Sequence, residues 1–330
     1  MPLILSQKTL KQLLPMNDVI DAVEQGFREH KAGTCTVPVR MAVGIDEHQG
    51  MFLFMPAYVG RRETFGTKVV SVFPGNVSRG VSTIQAAYML NDPTTGEFLA
   101  LMDGVFLTAI RTGAASALAT KHLARKDASV LGMIGGGGQA PLQAGGICAV
   151  RPIQRIVVYD RLAETAETFA AQTSRNLNVP VQRVESTREV VMQSDVLVTV
   201  TTSREPVFDG RDLRPGTHVN AVGAYTPDTR ELDDVTMTRA RIVVDTYEGC
   251  MAEAGDLLIP MKEGKLSRES IWADLGEIVL GQKSGRVHDD EITVFESVGF
   301  ALEDLMTAHL AYQRAQEHGL GLRVNLAESA

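Results

Sequence analysis

The 330-residue sequence has little that could staple it, anchor it or bind it to a polyanion. Its three cysteines, Cys35, Cys148 and Cys250, are odd in number and far apart, which fits reduced thiols in a cytoplasmic protein better than a disulfide frame. No cysteine or histidine pair has metal-ligand spacing, so no metal site is expected. No apolar run reaches the roughly 18 residues of a spanning helix. The opening "MPLILSQKTLKQLLPMNDV" lacks the basic lead and small-residue cleavage site of a signal peptide. A net charge of -8 argues against a nucleic-acid or anionic-membrane surface. There is no internal repeat and no low-complexity segment. What remains is ordinary: 44% hydrophobic and 22% charged residues, the profile of a soluble globular protein, at a length that suggests about two domains.

The texture changes along the chain. Residues 9–31 read as two helical pieces broken at Pro15, with Asn17 or Asp18 as cap of the second and Gly33 as its end. From Val37 to Leu101, short apolar or alternating runs punctuated by "FPGN" and "NDPTTGE" predict strands joined by turns. A long helix pattern follows at 103–124. Then strands ("SVLGMIG", "RIVVYD", "VQRV", "DVLVTVTT", "HVNAVGA", "ARIVVDT") alternate with helices, the pattern of a parallel sheet covered on both faces. The stretch "TVFESVGFALEDLMTAHLAYQRAQEHG" reads as one long helix. The expected fold is α/β: a Rossmann doubly wound parallel sheet over 116–304, plus a smaller α+β domain over 1–115, completed by a C-terminal helix at 305–330.

Four glycines in a row mark the start of the second texture. After the strand ending at Ile134, Gly135-x-Gly137-x-x-Ala140 opens a helix. The first small residue permits the tight turn, the second lets a diphosphate approach the backbone, and the third lets helix and strand pack closely. Gly138 and Gln139 complete the loop, and the helix N-terminus offers N–H groups to phosphate. An acid stands at the end of the next strand: Asp160, about 20 residues past Ala140. A carboxylate there accepts from ribose hydroxyls and repels a 2′-phosphate, so NAD is favoured over NADP; Arg161 beside it softens that choice. A ligand-free glycine turn and a solvated turn aspartate are the plainer alternatives.

Beyond the fingerprint, "MDGVFLTAIRTGAASALA", "IGGGGQA", "VTTSREPVF", "HVNAVGAYTPDTREL", "AEAGDLLIP" and "DDEITVFESVG" occur in one order. In these motifs the chain resembles the ornithine cyclodeaminase/μ-crystallin family from about residue 3 to 320. The resemblance implies a homodimer whose first part makes the dimer contact and half of the active site. It implies small α-amino or α-imino acid substrates and hydride exchange between nicotinamide C4 and the substrate carbon bearing nitrogen and carboxylate.

Such a substrate needs its carboxylate gripped, best by guanidinium groups. The resemblance points to Arg40, Lys68 and Arg111, each a cation in an apolar context where an unpaired charge is costly. Snorkelling or salt-bridged side chains are the alternative. Hydride attack at C2 also needs a protonated imine, and Lys68, or a water it holds, is the best candidate for the proton donor. Tyr225 and Asp228 are weaker candidates. The resemblance further suggests Thr83 and Thr112 at phosphate or ribose, Thr201 where the cofactor crosses the sheet, Val222 and Gly223 beside the nicotinamide, and Ser297 and Val298 near ring and substrate. Turn or cap roles compete for Thr83, Thr201 and Ser297.

Two departures bear on the reaction. Where cyclodeaminases carry an aspartate after the NAVGA-like motif this chain has Tyr225, and where they carry a glutamate before "LMP" it has Leu53. The acids suited to a diamine are missing, so the expected activity is an NAD(P)-dependent reductase of Δ1-pyrroline-2-carboxylate or Δ1-piperideine-2-carboxylate, or an L-amino-acid dehydrogenase. Ornithine cyclodeaminase and a non-catalytic, μ-crystallin-like binding protein are the alternatives. Glu296 stands where many relatives' motif has lysine, with no role evident from sequence.

Overall fold

Side chains alternate along the strands of the N-terminal half, and that alternation decides which of them are buried. In Thr64–Val72 the inward positions are Thr64, Gly66, Lys68 and Val70. In Gly50–Val59 they include Leu53, Met55, Ala57 and Val59. A computed structural model describes the chain over residues 1–326. In it these two strands pair antiparallel, joined by Met41–Ile45 on one side and by Ile84–Asn91 and Phe98–Asp103 on the other. Leu3–Leu5 adds parallel to Phe98–Asp103, Leu322–Arg323 closes that edge antiparallel to Leu3–Leu5, and Cys35–Thr36 pairs antiparallel with the end of Gly50–Val59, giving an eight-stranded sheet.

Helices Met16–Lys31 and Ala301–His318 pack on each other, and the latter lies against the inner face of the sheet. The helix break at Pro15 is where the sequence puts it, but Pro15 itself is the N-cap; Asn17 and Asp18 lie inside the first turn. The preceding helix, Gln7–Leu13, is capped by Ser6, whose hydroxyl accepts from the Thr9 N–H. The chain divides into two compact units: Met1–Arg111 together with the segment from Ala301 on, and Thr112–Phe300. Helix Gly104–Leu123 carries the chain from one to the other.

The second unit holds an eight-stranded, wholly parallel sheet. Its strands lie in the order Val181–Arg183, Arg155–Tyr159, Val130–Ile134, Val196–Thr199, His218–Ala221, Thr293–Glu296, Arg241–Val244, Ile271–Asp274. The order reverses between Val130–Ile134 and Val196–Thr199, which is the switch point of a doubly wound fold. Central strands are apolar on both faces, as a sheet covered on both sides requires. At the amino edge, the Asp195 carboxylate accepts from the Ser129 and Val130 N–H groups and pairs with Arg125 and Arg214.

The long terminal helix expected from "TVFESVG" onward is two elements. Thr293–Glu296 is a buried strand of four residues in the middle of the sheet, and the helix begins only at Ala301. A short apolar run has no period of its own, so the strong helical period after it masked the strand. The helix also stops at His318, with Gly319 at positive φ, rather than continuing. Residues 327–330 of the expected C-terminal segment lie outside the described residues.

Candidate active site and dinucleotide site

Lys68 occupies an inward position in its strand and is only 2% exposed. Its ammonium donates to Asp304 Oδ2 at 2.8 Å, across from helix Ala301–His318. Arg111, 5% exposed, donates from Nε to Asp304 Oδ1 at 3.0 Å and from Nη1 to Glu303 Oε2 at 2.7 Å. Two cations thus share one buried carboxylate, and a second acid completes the balance. These contacts use two of the five N–H groups of the guanidinium. Arg40, half-buried just before strand Met41–Ile45, is close enough for its charge to act on Lys68. The three cations expected to work together are therefore neighbours in the first unit.

Burial pushes the Lys68 ammonium down to about 8; Asp304 opposes that, while Arg111 and Arg40 add to it. Burial also works against the charge of Arg111, but Asp304 and Glu303 outweigh it and hold the group above its ordinary value. Asp304 is pushed up by burial and more strongly down by Arg111 and Lys68. A lysine poised near neutrality beside a permanently charged guanidinium can give up a proton while an anion stays held. Tyr88 is the register partner of Lys68 on the adjacent strand, and its buried hydroxyl has no partner among the described residues.

In the second unit, Gly135 has φ +102°, and a Cβ there would lie 2.6 Å from the Val200 carbonyl oxygen, so the turn tolerates only glycine. By contrast, a Cβ on Gly137 or Gly138 meets nothing within 4 Å. Those two positions leave bare backbone facing open space, the cradle a diphosphate would fill. Ala140 is fully buried at the helix start, as close helix–strand packing demands. Gln139 Oε1 is buried with no partner among the described residues. A cavity of about 550 Å³ adjoins the turn, lined by Gly136 to Gly138, Pro141 and the face of helix Ala163–Leu177. These features fit a dinucleotide.

Asp160 follows its strand as expected, and its oxygens accept from the Gly136 and Leu162 N–H groups at 2.9 Å each. It therefore fixes the glycine turn as well as facing it; Arg161 beside it is exposed. Thr201 and Gly223 are brought to the switch-point edge of the sheet, with Val222 between strand and loop. Thr112 is buried in helix Gly104–Leu123, next to Arg111. Thr83 belongs to the first unit, where its carbonyl accepts from the Phe73 N–H.

The start of the last helix differs from the sequence expectation, and two further candidate residues lie away from Lys68 in sequence and belong to the second unit. Ser297 does not start a helix: it follows strand Thr293–Glu296, and its hydroxyl donates to Asp245 Oδ2 at 3.0 Å. Val298 likewise lies in the strand-to-helix loop and is buried in the unit's apolar core. Asp228 is a surface residue, paired with Arg204 and accepting from the Thr226 hydroxyl. Tyr225 packs against the same core, half-buried.

The matching model of known families is that of the ornithine cyclodeaminase/μ-crystallin family, aligned over residues 1–319. The chain belongs to that family. It is 39% identical over 323 residues to a Δ1-pyrroline-2-carboxylate reductase of Bacillus cereus, covering 98% of this chain and 99% of the relative. Among solved structures, a Δ1-pyrroline-2-carboxylate reductase of Thermococcus litoralis in complex with NADH and L-proline superposes with TM-score 0.96 at 47% identity, covering 98% of this chain and 100% of that one. An archaeal alanine dehydrogenase dimer with bound NAD gives TM-score 0.92 at 35% identity over 98% and 99%. In this chain Lys68 and Arg111 sit in the first unit and the glycine turn in the second.

Asp304 and Glu303 escaped the sequence reading. Their signal was there: Asp304, Ala308, Ala311 and Ala315 share one buried stripe of the last helix, and a charge inside such a stripe needs a partner. Glu231 and Asp256 also escaped, although both fall inside motifs that carry the family resemblance.

Proposed function

We propose that the chain is an NAD(H)-dependent reductase of a cyclic α-imino acid, with Δ1-pyrroline-2-carboxylate as its substrate and L-proline as product. The observation that carries this reading is Lys68, a buried ammonium pushed down to about 8 and set beside Arg111. Arg111, with Arg40, takes the substrate carboxylate, its remaining N–H groups supplying the paired bonds that a planar anion accepts. Lys68 donates the proton that keeps the imine nitrogen positive, so that C2 is electrophilic. Asp304 keeps the depleted ammonium aimed and partly recharged. NADH, when bound at Gly135 to Ala140, supplies the hydride.

The positions that would carry diamine-handling acids support reduction rather than cyclodeamination. Leu53 is a core residue of its strand, and Tyr225 packs on an apolar cluster. NAD is favoured over NADP because the Asp160 carboxylate stands against the glycine turn, where a 2′-phosphate would meet like charge. The homodimer is supported by the outer face of the first sheet, where Met41, Val43, Tyr58 and Leu101 are exposed together. A cytoplasmic location accords with three unpaired cysteines and is checked by cell fractionation. Among the described residues no helix is long and apolar enough to cross a membrane, and no cluster of three metal-binding side chains occurs.

Purified protein is assayed for NADH and NADPH oxidation with Δ1-pyrroline-2-carboxylate, Δ1-piperideine-2-carboxylate, and pyruvate plus ammonia, and for proline formed from ornithine. Light scattering gives the subunit count. Turnover of the pyrroline with NADH preferred is expected. Proline from ornithine without net NADH change would make the chain a cyclodeaminase, and NADH binding without turnover would make it a binding protein.

A further inference from the structure

Glu231 lies in "TPDTREL", in a loop after the strand His218–Ala221, and is fully buried. Every polar atom it has is engaged. Its Oε1 accepts from the Thr201 N–H at 2.6 Å and its Oε2 from the Gly223 N–H at 2.8 Å. Its carbonyl accepts from the Val207 N–H at 2.8 Å. Its own N–H donates to Asp256 Oδ1 at 2.9 Å, and the Leu232 N–H donates to the same oxygen at 2.6 Å.

The two amides gripped by the carboxylate each lie two residues past the end of a strand, Thr201 after Val196–Thr199 and Gly223 after His218–Ala221; these strands are neighbours, and the first of them borders the point where the strand order reverses. The fit is close: a Cβ on Gly223 would lie 2.6 Å from the Glu231 carboxyl carbon and would also strike the Thr201 carbonyl oxygen. The Thr201 loop in turn leans on the glycine turn, since a Cβ on Gly135 would meet the Thr201 methyl at 3.3 Å. One side chain therefore ties together the loops that follow two neighbouring strands, and the nearer of those loops abuts the glycine turn.

We infer that Glu231 is a positioning residue for the dinucleotide: it acts through the Thr201 and Gly223 backbones, and Asp256 holds it in place. The inference rests on the dinucleotide reading proposed above. A carboxylate suits the task because two N–H groups converge on one point, and only an acceptor with two oxygens satisfies both. A glutamine offers one oxygen and turns an N–H toward the other amide, donor against donor.

The test is Glu231→Gln, read in two ways. In protein without cofactor, amide hydrogen exchange at Thr201 and Gly223 is expected to speed up about tenfold, while Ser129 and Val130, held by Asp195 at the opposite edge, keep their rates. NADH is expected to bind about tenfold more weakly by fluorescence titration, with its KM raised and the imino-acid KM unchanged. Gly223→Ala displaces the carboxylate without removing it and is expected to show the same pattern, which covers the case of a glutamine variant that does not fold. Unchanged NADH affinity, or faster exchange spread equally to Ser129 and Val130, overturns the inference. A wild-type protein that binds no NADH overturns the dinucleotide reading instead, and the exchange data then still report whether the carboxylate holds the loops.

Discussion

Each unit of this chain buries a group of carboxylates, and the two groups are balanced by different means. In the first, Asp304 and Glu303 face Lys68 and Arg111, and charge answers charge. In the second, Glu231 and Asp256 are answered by backbone N–H groups, and Asp245 by the Ser297 hydroxyl and the Thr246 and Gly299 N–H groups. Glu296, beside them at the end of its strand, has neither oxygen partnered among the described residues. Burial and the nearby Asp256, Glu231 and Asp245 push it well above the carboxylate range, and Cys250 is the other titratable group against it. Burial and Glu231 likewise push Asp256 up, to about 7. Ion pairs adjust the proton affinity of a working group. Amide cages fix the shape of loops, and although their N–H groups lower the proton affinity of Glu231 and Asp256, burial outweighs them.

The largest effect is expected from removing Lys68. Lys68→Met deletes the proposed proton donor, and kcat for imine reduction is expected to fall about a thousandfold. NADH affinity, a property of the other unit, should stay as it was. Equal losses in both would show that the two clusters do not divide the work in this way.

Asp304→Asn acts on the same lysine through its counter-ion. Lys68 must be protonated to donate, so imine reduction is expected to decline as pH rises through about 8, and the reverse oxidation to increase over the same interval. Asp304 raises the proton affinity of Lys68, so its neutralisation moves both limbs to lower pH. Breaking the buried pair also costs about 3–5 kcal/mol of stability. Profiles are therefore recorded on protein whose melting curve remains cooperative. An unmoved profile would take Lys68 out of the proton-transfer role.

The smallest effect belongs to Glu296→Gln. Unfolded, Glu296 releases its proton near the ordinary carboxylate value; folded, it keeps it to much higher pH. The folded protein binds the extra proton in that interval, so wild-type stability falls as pH rises through it. Glutamine keeps the shape and never ionises. Its melting temperature should drop less than that of the wild type as pH rises above about 5, by about 2 °C for each pH unit. Parallel curves would mean that Glu296 is ionised and partnered after all.

Most of the second unit was legible because its signals are local. Apolar strands alternate with periodic helices, and Gly135 to Ala140 and Asp160 lie within one βαβ stretch. Thr293–Glu296 was not, since a strand so short carries no period to set against the helix after it. Lys68 and Arg111 stood out as charges in apolar company. Their acids did not, because Asp304 is 236 positions from Lys68 and 193 from Arg111, and nothing local to either end names the other. Glu231 was hidden for a different reason: a carboxylate that grips backbone amides pairs with no side chain, so no complementary residue type marks its partner.

The separation of Lys68 from Asp304 also bears on how the protein is made. Synthesis runs from the N-terminus, so the whole of Thr112–Phe300 leaves the ribosome before helix Ala301–His318 exists. Until then the first sheet has no cover for its inner face and its lysine no counter-ion. The second unit can fold on the growing chain, whereas the first must wait for helix Ala301–His318. A nascent chain arrested before Ala301 should accordingly resist protease over its later residues and be cut within its first hundred or so.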